Sequence, residues 1–255
     1  STAYTIHFMH EDASANQSSV ASGDGFTTAA SGITGHDTVH RVESTATAGS
    51  YNFTLNGITS GQLIHLPVKA MGDSTIHTPA TWTVTLNGVA ATFVVAAASG
   101  SSGTFPSVGV FRVVADATGN LALAITLNAA ARACCVDARY LNGVHATTPV
   151  VGTPKAENSL NTDVATINSP NAYAPQAAGN VILTDIAIKG GDITGLVATS
   201  GADGHVTDKT GTNATSDITD GAAYNVAPDT SAITIDWDWT GADRVASTNV
   251  EYQPA

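Results

Sequence analysis

Of 255 residues only 12% are Asp, Glu, Lys or Arg, and 9 basic residues against 21 acidic ones give a formal net charge of −12. A chain this acidic, with few and scattered cations, lacks the basic footprint that nucleic acid or an anionic membrane surface requires. The small and hydroxyl-bearing residues that fill the remainder suit β-sheets with tight turns and suit helices poorly.

Residues 4–9 (YTIHFM) alternate as a first strand, and residues 10–35 read as a long polar loop. Strands then recur at short intervals, over 36–43, 51–55, 62–69 and 81–86, with a turn at Asn56-Gly57. Asn87-Gly88, the strongest short-range hairpin signal, pairs residues 89–96 with the preceding strand. The longest apolar run, 88–98, falls far short of the roughly 20 residues of a spanning helix, so no membrane insertion is expected. Residues 108–141 read as three strands. Phe111, Val113 and Val114 form the first, and a turn over 116–120 follows. Leu121, Leu123, Ile125 and Leu127 then share one side, because side chains alternate along a strand. In the third strand Cys134, Val136 and Tyr140 take one face; Cys135, Asp137, Arg139 and Leu141 take the other. The neighbouring cysteines therefore read as two separate thiols. Asp137 and Arg139 read as a charge pair on an outer surface.

From 146 to 180 the character changes, with Pro149, Pro154, Pro170 and Pro175 punctuating a weakly apolar segment. A short helix is expected near 157–164, capped by Asn158 or Ser159. A structureless stretch of this length is unusual inside a compact domain, so it reads as a linker or as an arm on a neighbouring subunit. Strands follow over 181–189, 193–199, 232–240 and 245–252, with a polar loop over 201–229. Such spacing leaves no room for crossover helices. The expected fold is all-β. Two antiparallel, jelly-roll-like β-sandwich domains, 1–147 and 181–255, are joined by a Pro-marked segment at 148–180.

No nucleophile elbow, H-E-x-x-H, P-loop or C-x-x-C motif is present, so no enzyme is expected. The close histidine pairs, His7 with His10 and His36 with His40, have spacings that do not bring side chains together on a strand. Asp236 and Asp238 share a strand face about 7 Å apart. The pair reads as the solvated acidic face of an edge strand, as a Ca²⁺ site or as an acid/base pair. Trp237 and Trp239 alternate with Ile233 and Ile235, and they read either as core or as a stacking platform for sugar rings. Trp82, on the face of Val84 and Leu86, is equally open. Asn16, Asn52 and Asn213 begin glycosylation sequons that chance alone produces in so Thr- and Ser-rich a chain.

Four phrases carry a resemblance: His10-Glu11-Asp12-Ala13-Ser14; Gly49-Ser50-Tyr51-Asn52-Phe53-Thr54-Leu55; Trp82-Thr83-Val84-Thr85-Leu86-Asn87-Gly88-Val89; and Gly119-Asn120-Leu121-Ala122-Leu123 before a closing strand with Asp137. In this order they resemble the galactose-binding-like sandwich of many carbohydrate-binding modules, over residues 4–143. The resemblance implies a structural Ca²⁺ between Glu11 and Asp137, with Met9 standing where the family's first acidic position falls. The wider texture resembles head spikes, fibres and decoration proteins of bacteriophage-like particles. It implies a non-enzymatic virion surface protein, extracellular and homo-oligomeric, held by other virion subunits and contacting host cell-surface polysaccharide. No signal peptide is readable at Ser1-Thr2-Ala3-Tyr4, which fits that expectation. A carbohydrate-binding module pair of a secreted system and a purely structural capsid component are the alternatives.

Overall fold

The computed structural model describes residues 32–73, 75, 77–100, 104–158, 164–168, 173–190, 193–210 and 217–255. In chain order the strands are β1 (His40–Ser44), β2 (Ala48–Ile58), β3 (Leu63–Gly72), β4 (Thr83–Leu86), β5 (Val89–Ala90), β6 (Thr92–Ala98), β7 (Pro106–Val114) and β8 (Gly119–Leu141). They continue as β9 (Val150–Asn158), β10 (Val164–Asn168), β11 (Val181–Lys189), β12 (Thr194–Ser200), β13 (Gly204–Thr210), β14 (Ile218–Val226), β15 (Asp236–Asp243) and β16 (Val245–Tyr252). The only helical element among the described residues is a 3-10 turn at Pro79–Thr81. No helix there is long and apolar enough to cross a membrane. The fold is all-β and every strand pairing is antiparallel.

The first sheet is built on β8. Its first half pairs with both β2 and β4, and its second half with both β1 and β3. The sequence suggests a break near Asn128, but Asn128-Ala129-Ala130-Ala131 contains no Gly or Pro, and one 23-residue strand runs through. Along the first half of β8 Leu121, Leu123, Ile125 and Leu127 are buried. They pack with Tyr51, Leu55, Val84 and Leu86 and with the inward face of β3 (Ile64, Leu66, Val68, Ala70). From Ala133 to Leu141 every residue is buried, because a second sheet covers the other face. That sheet runs β13-β14-β11-β16-β9. Leu63, Met71, Ala133, Cys135 and Leu141 of the first sheet share one core with Val181, Leu183, Val250 and Tyr252 of the second. The far side of the second sheet is closed by the short sheet β10-β15-β12, where Trp237 and Trp239 pack on Ile186, Ile188 and Val245.

Residues 33–255 form a single compact unit. Within the segment expected as a linker, β9 pairs with β16 and β10 pairs with β15. Glu157 and Asn158, the expected helix start, end a strand; most of that expected helix lies outside the described residues. The stretch expected as a loop over 201–229 contains β13 and β14. Its small residues disguise β14: Gly221 lies against the Trp237 ring, where a Cβ would sit 2.7 Å from it. The hairpin at Asn87-Gly88 forms as expected, with positive φ at both residues. Cys134 and Cys135 are free, buried thiols in two different cores. The first strand expected, at 4–9, lies outside the described residues.

Candidate functional site: two polar clusters between the sheets

The layer between the first two sheets is apolar except at charged residues set into it from both sides. Lys69 and His65 lie four residues apart on the same face of β3, roughly 13 Å along the strand. Each reaches the second sheet through a different set of partners.

At Lys69 the cluster is closed. Lys69 Nζ donates to Asp137 Oδ2 at 2.5 Å, to Asp220 Oδ2 at 3.1 Å and to the Gly221 carbonyl at 3.0 Å. Arg41 of β1 donates through Nη1 to Asp137 Oδ1 at 2.8 Å and to Asp220 Oδ2 at 2.8 Å, and through Nη2 to Asp220 Oδ1 at 2.9 Å. Two cations thus face two carboxylates, with Lys69 and Asp220 fully buried. Burial alone would raise the Asp137 carboxyl, but Lys69, a hydrogen bond with Asp220 and Arg41 hold it below the usual range. Asp220 goes the other way, pushed up to about 7 by burial and by the neighbouring Asp137 charge. The expectation of Asp137 and Arg139 as an outer-surface pair is therefore corrected. The second sheet covers that face, and Asp137 pairs with Lys69 and Arg41 instead.

At His65 the cluster is open. His65 Nε2 and Asp185 Oδ2 are 2.9 Å apart, as are Nδ1 and the Tyr252 hydroxyl. Burial pushes the imidazole down despite the opposing pull of Asp185. The neutral ring therefore donates from Nε2 to the carboxylate and accepts the Tyr252 O–H at Nδ1. All three side chains are buried, and none of them lines the pocket that Arg139 lines. Arg139, paired across the strands with His65, is 1% exposed, and its Nε and Nη1 have no hydrogen-bond partner. Asp185 Oδ1 is also unpartnered. Orphaned buried donors of this kind are rare in folded proteins.

Arg139 lines a pocket of about 160 Å³ together with Asp37, Val39, Gly204, His205 and Tyr224. Tyr224 lies over Gly204, where a Cβ would meet the ring at 2.7 Å, and His36 packs edge-on against the same ring. A larger pocket of about 230 Å³, around Leu63, Val114, Leu141, Val144 and His145, has no carboxylate or guanidinium in its lining.

The other residues singled out in the sequence are dispersed. Trp82, Trp237 and Trp239 are all buried, at 5%, 0% and 6% exposure, so none presents a ring face to solvent. The Trp82 indole N–H donates to Asn128 Oδ1 at 2.8 Å. Asp236 and Asp238 lie half-buried on β15, which is the middle strand of its short sheet rather than an edge. Asp236 accepts the Ser200 hydroxyl. No group of three His, Cys, Asp or Glu residues able to hold a metal ion occurs among the described residues. Glu11, the expected calcium partner of Asp137, lies outside the described residues, as do His7 and His10. Both oxygens of Asp137 receive cationic donors. His36 and His40 part company: His40 stacks on Tyr140 at 3.8 Å while His36 meets Tyr224.

Lys69, Asp220, Arg41 and Asp185 were not singled out from the sequence. The signal was present as isolated charges in apolar strands, Lys69 and His65 in LIHLPVKAMG and Asp185 in VILTDIAIK. Comparison with protein-family models, curated proteins and solved structures yields no match.

Proposed function

We propose that this chain is a non-enzymatic surface protein of a virus-like particle that binds a cell-surface polysaccharide, and that the pocket over Arg139 takes an acidic substituent of that polysaccharide. The observation that carries this reading is the Arg139 guanidinium, buried, with Nε and Nη1 lacking hydrogen-bond partners, and lining a cavity. A guanidinium offers a planar fork of donors that a carboxylate meets with two parallel hydrogen bonds. The cavity, about 160 Å³, is below the size of ordinary small-molecule sites and fits one charged group rather than a whole ring. Asp37 at the same pocket is placed to accept a sugar hydroxyl, and Tyr224 offers an apolar wall. The position of the His65–Asp185 pair outside the lining of this pocket favours binding over chemistry, since the groups best suited to acid–base work do not face the ligand there. A single small site binds weakly, so attachment would draw its strength from many copies held by other particle subunits.

The test is a glycan array containing neutral and uronic-acid or sialic-acid polysaccharides, read for the wild-type chain and for Arg139→Met. Retention of acidic glycans by the wild type alone is expected. Silence across the array, or equal binding by the variant, overturns the reading. Light scattering separates the rivals: a concentration-independent monomer that binds glycan points to a carbohydrate-binding module of a secreted system, and an oligomer that binds none points to a purely structural capsid component.

A further inference from the structure

The closed cluster places an amine, a carboxyl and a second acid in contact where water is excluded. We propose that Lys69 and Asp137 condense within the folded chain to form an amide bond between β3 and β8, with Asp220 carrying the protons and Arg41 holding the oxygen on which charge develops. The reacting groups already touch, Lys69 Nζ lying 2.5 Å from Asp137 Oδ2. Such fixed proximity is worth an effective concentration of roughly 10⁵–10⁸ M in well-oriented intramolecular reactions.

The step balances without any co-reactant. One proton of the Lys69 ammonium passes by way of Asp220 to Asp137 Oδ2, which leaves a neutral amine beside a neutral acid. The nitrogen lone pair attacks Asp137 Cγ, forming the C–N bond, and negative charge builds on Oδ1, where Arg41 Nη1 stands at 2.8 Å. A second nitrogen proton travels through Asp220 to Oδ2. The C–Oδ2 bond then breaks, one water leaves, the carbonyl re-forms on Oδ1, and Asp220 ends as it began. Asp220 is suited to this shuttle because it lies 3.1 Å from Nζ and, pushed up to about 7, exchanges protons near neutrality. It is not the acid attacked, because Arg41 grips both of its oxygens. In bulk water the reverse hydrolysis dominates; here the Lys69, Asp137 and Asp220 side chains are 0%, 5% and 0% exposed, so the water released is expelled.

The experiment is the intact mass of the full chain, denatured after purification, followed by tryptic mapping. The wild type is expected to be lighter than its sequence by one water, with the peptide bearing Lys69 uncut at that residue and joined to the peptide bearing Asp137. Asp220→Asn, shown to be folded by circular dichroism, is expected at its full sequence mass, as is Lys69→Arg. A wild-type mass equal to that of the sequence overturns the proposal. So does a water lost at any other place, including a succinimide or a link from Lys69 to Asp220. A loss that persists in Asp220→Asn overturns the part assigned to that residue.

Discussion

Two polar clusters sit four residues apart on one face of β3, and they resolve the same problem in opposite ways. At Lys69 two cations and two carboxylates close on one another across three strands of the first sheet and one of the second. At His65 the imidazole and Tyr252 are satisfied, but Nε and Nη1 of Arg139 and one oxygen of Asp185 are left over. A closed cluster fixes how the sheets dock. An open one retains unspent hydrogen-bonding capacity, and a pocket lies where that capacity is. Docking of the sheets and the proposed ligand binding thus fall to separate clusters of one layer.

Opening the closed cluster should cost the most stability. Asp137→Ala leaves Lys69 with Asp220 as its only carboxylate partner while Arg41 keeps Asp220, Glu43 and Asp208, and the loss expected from breaking a buried pair is about 3–5 kcal/mol in urea unfolding. A loss no greater than that of an exposed pair would show that the cluster does not hold the sheets. Next comes Gly221→Ala, whose new methyl would lie 2.7 Å from the Trp237 ring while the Gly221 carbonyl serves Lys69. Overpacking of this kind costs about 1–3 kcal/mol, read as a lowered melting temperature. Tyr252→Phe removes the donor to His65 Nδ1 and should cost about 1 kcal/mol in the same assay. Arg139→Met should cost clearly less than Asp137→Ala, because the guanidinium gives up no hydrogen bond through Nε or Nη1 and loses only its attraction to Asp185 and Asp137. A destabilisation matching that of Asp137→Ala would erase the distinction between the clusters.

The pH response sharpens the same contrast. Folded His65 refuses a proton that the unfolded chain accepts below about 6.5, so its share of stability is whole above that pH and is lost as pH falls through it. Asp220 responds with the reverse sign. Folded Asp220 keeps a proton up to about 7 that the unfolded chain releases near 3.8, so stability falls as pH rises across that window. Urea midpoints from pH 4 to 8 should show the first slope vanish in His65→Gln and the second in Asp220→Asn. A slope unaltered by its variant would place the titration elsewhere.

Much of the fold is legible in the chain because local signals agree with it. Residues 181–189 and 245–252 are the strands β11 and β16 to the residue, and the face division at Cys134 and Cys135 separates two real cores. What escaped was non-local. Arg41, Lys69, Asp137 and Asp220 meet across 68 to 179 residues of sequence, so no spacing announces them. Asp137 drew notice on the residues themselves, but its chemistry depends on partners in other strands. β14 escaped because a strand covered on both faces by bulky neighbours has room only for small residues, and Gly221-Ala222-Ala223 then reads as a loop.

The 23-residue span of β8 also sets a timetable for synthesis. Among the described residues β1 and β2 find their only ladder partner in it, so both leave the ribosome with bare edges, β2 until residues 119–131 and β1 until residues 134–138 have followed. Bare edges invite pairing with neighbouring nascent chains. The yield of native protein should therefore fall when translation is fast and crowded, and rise when it is slowed by cold.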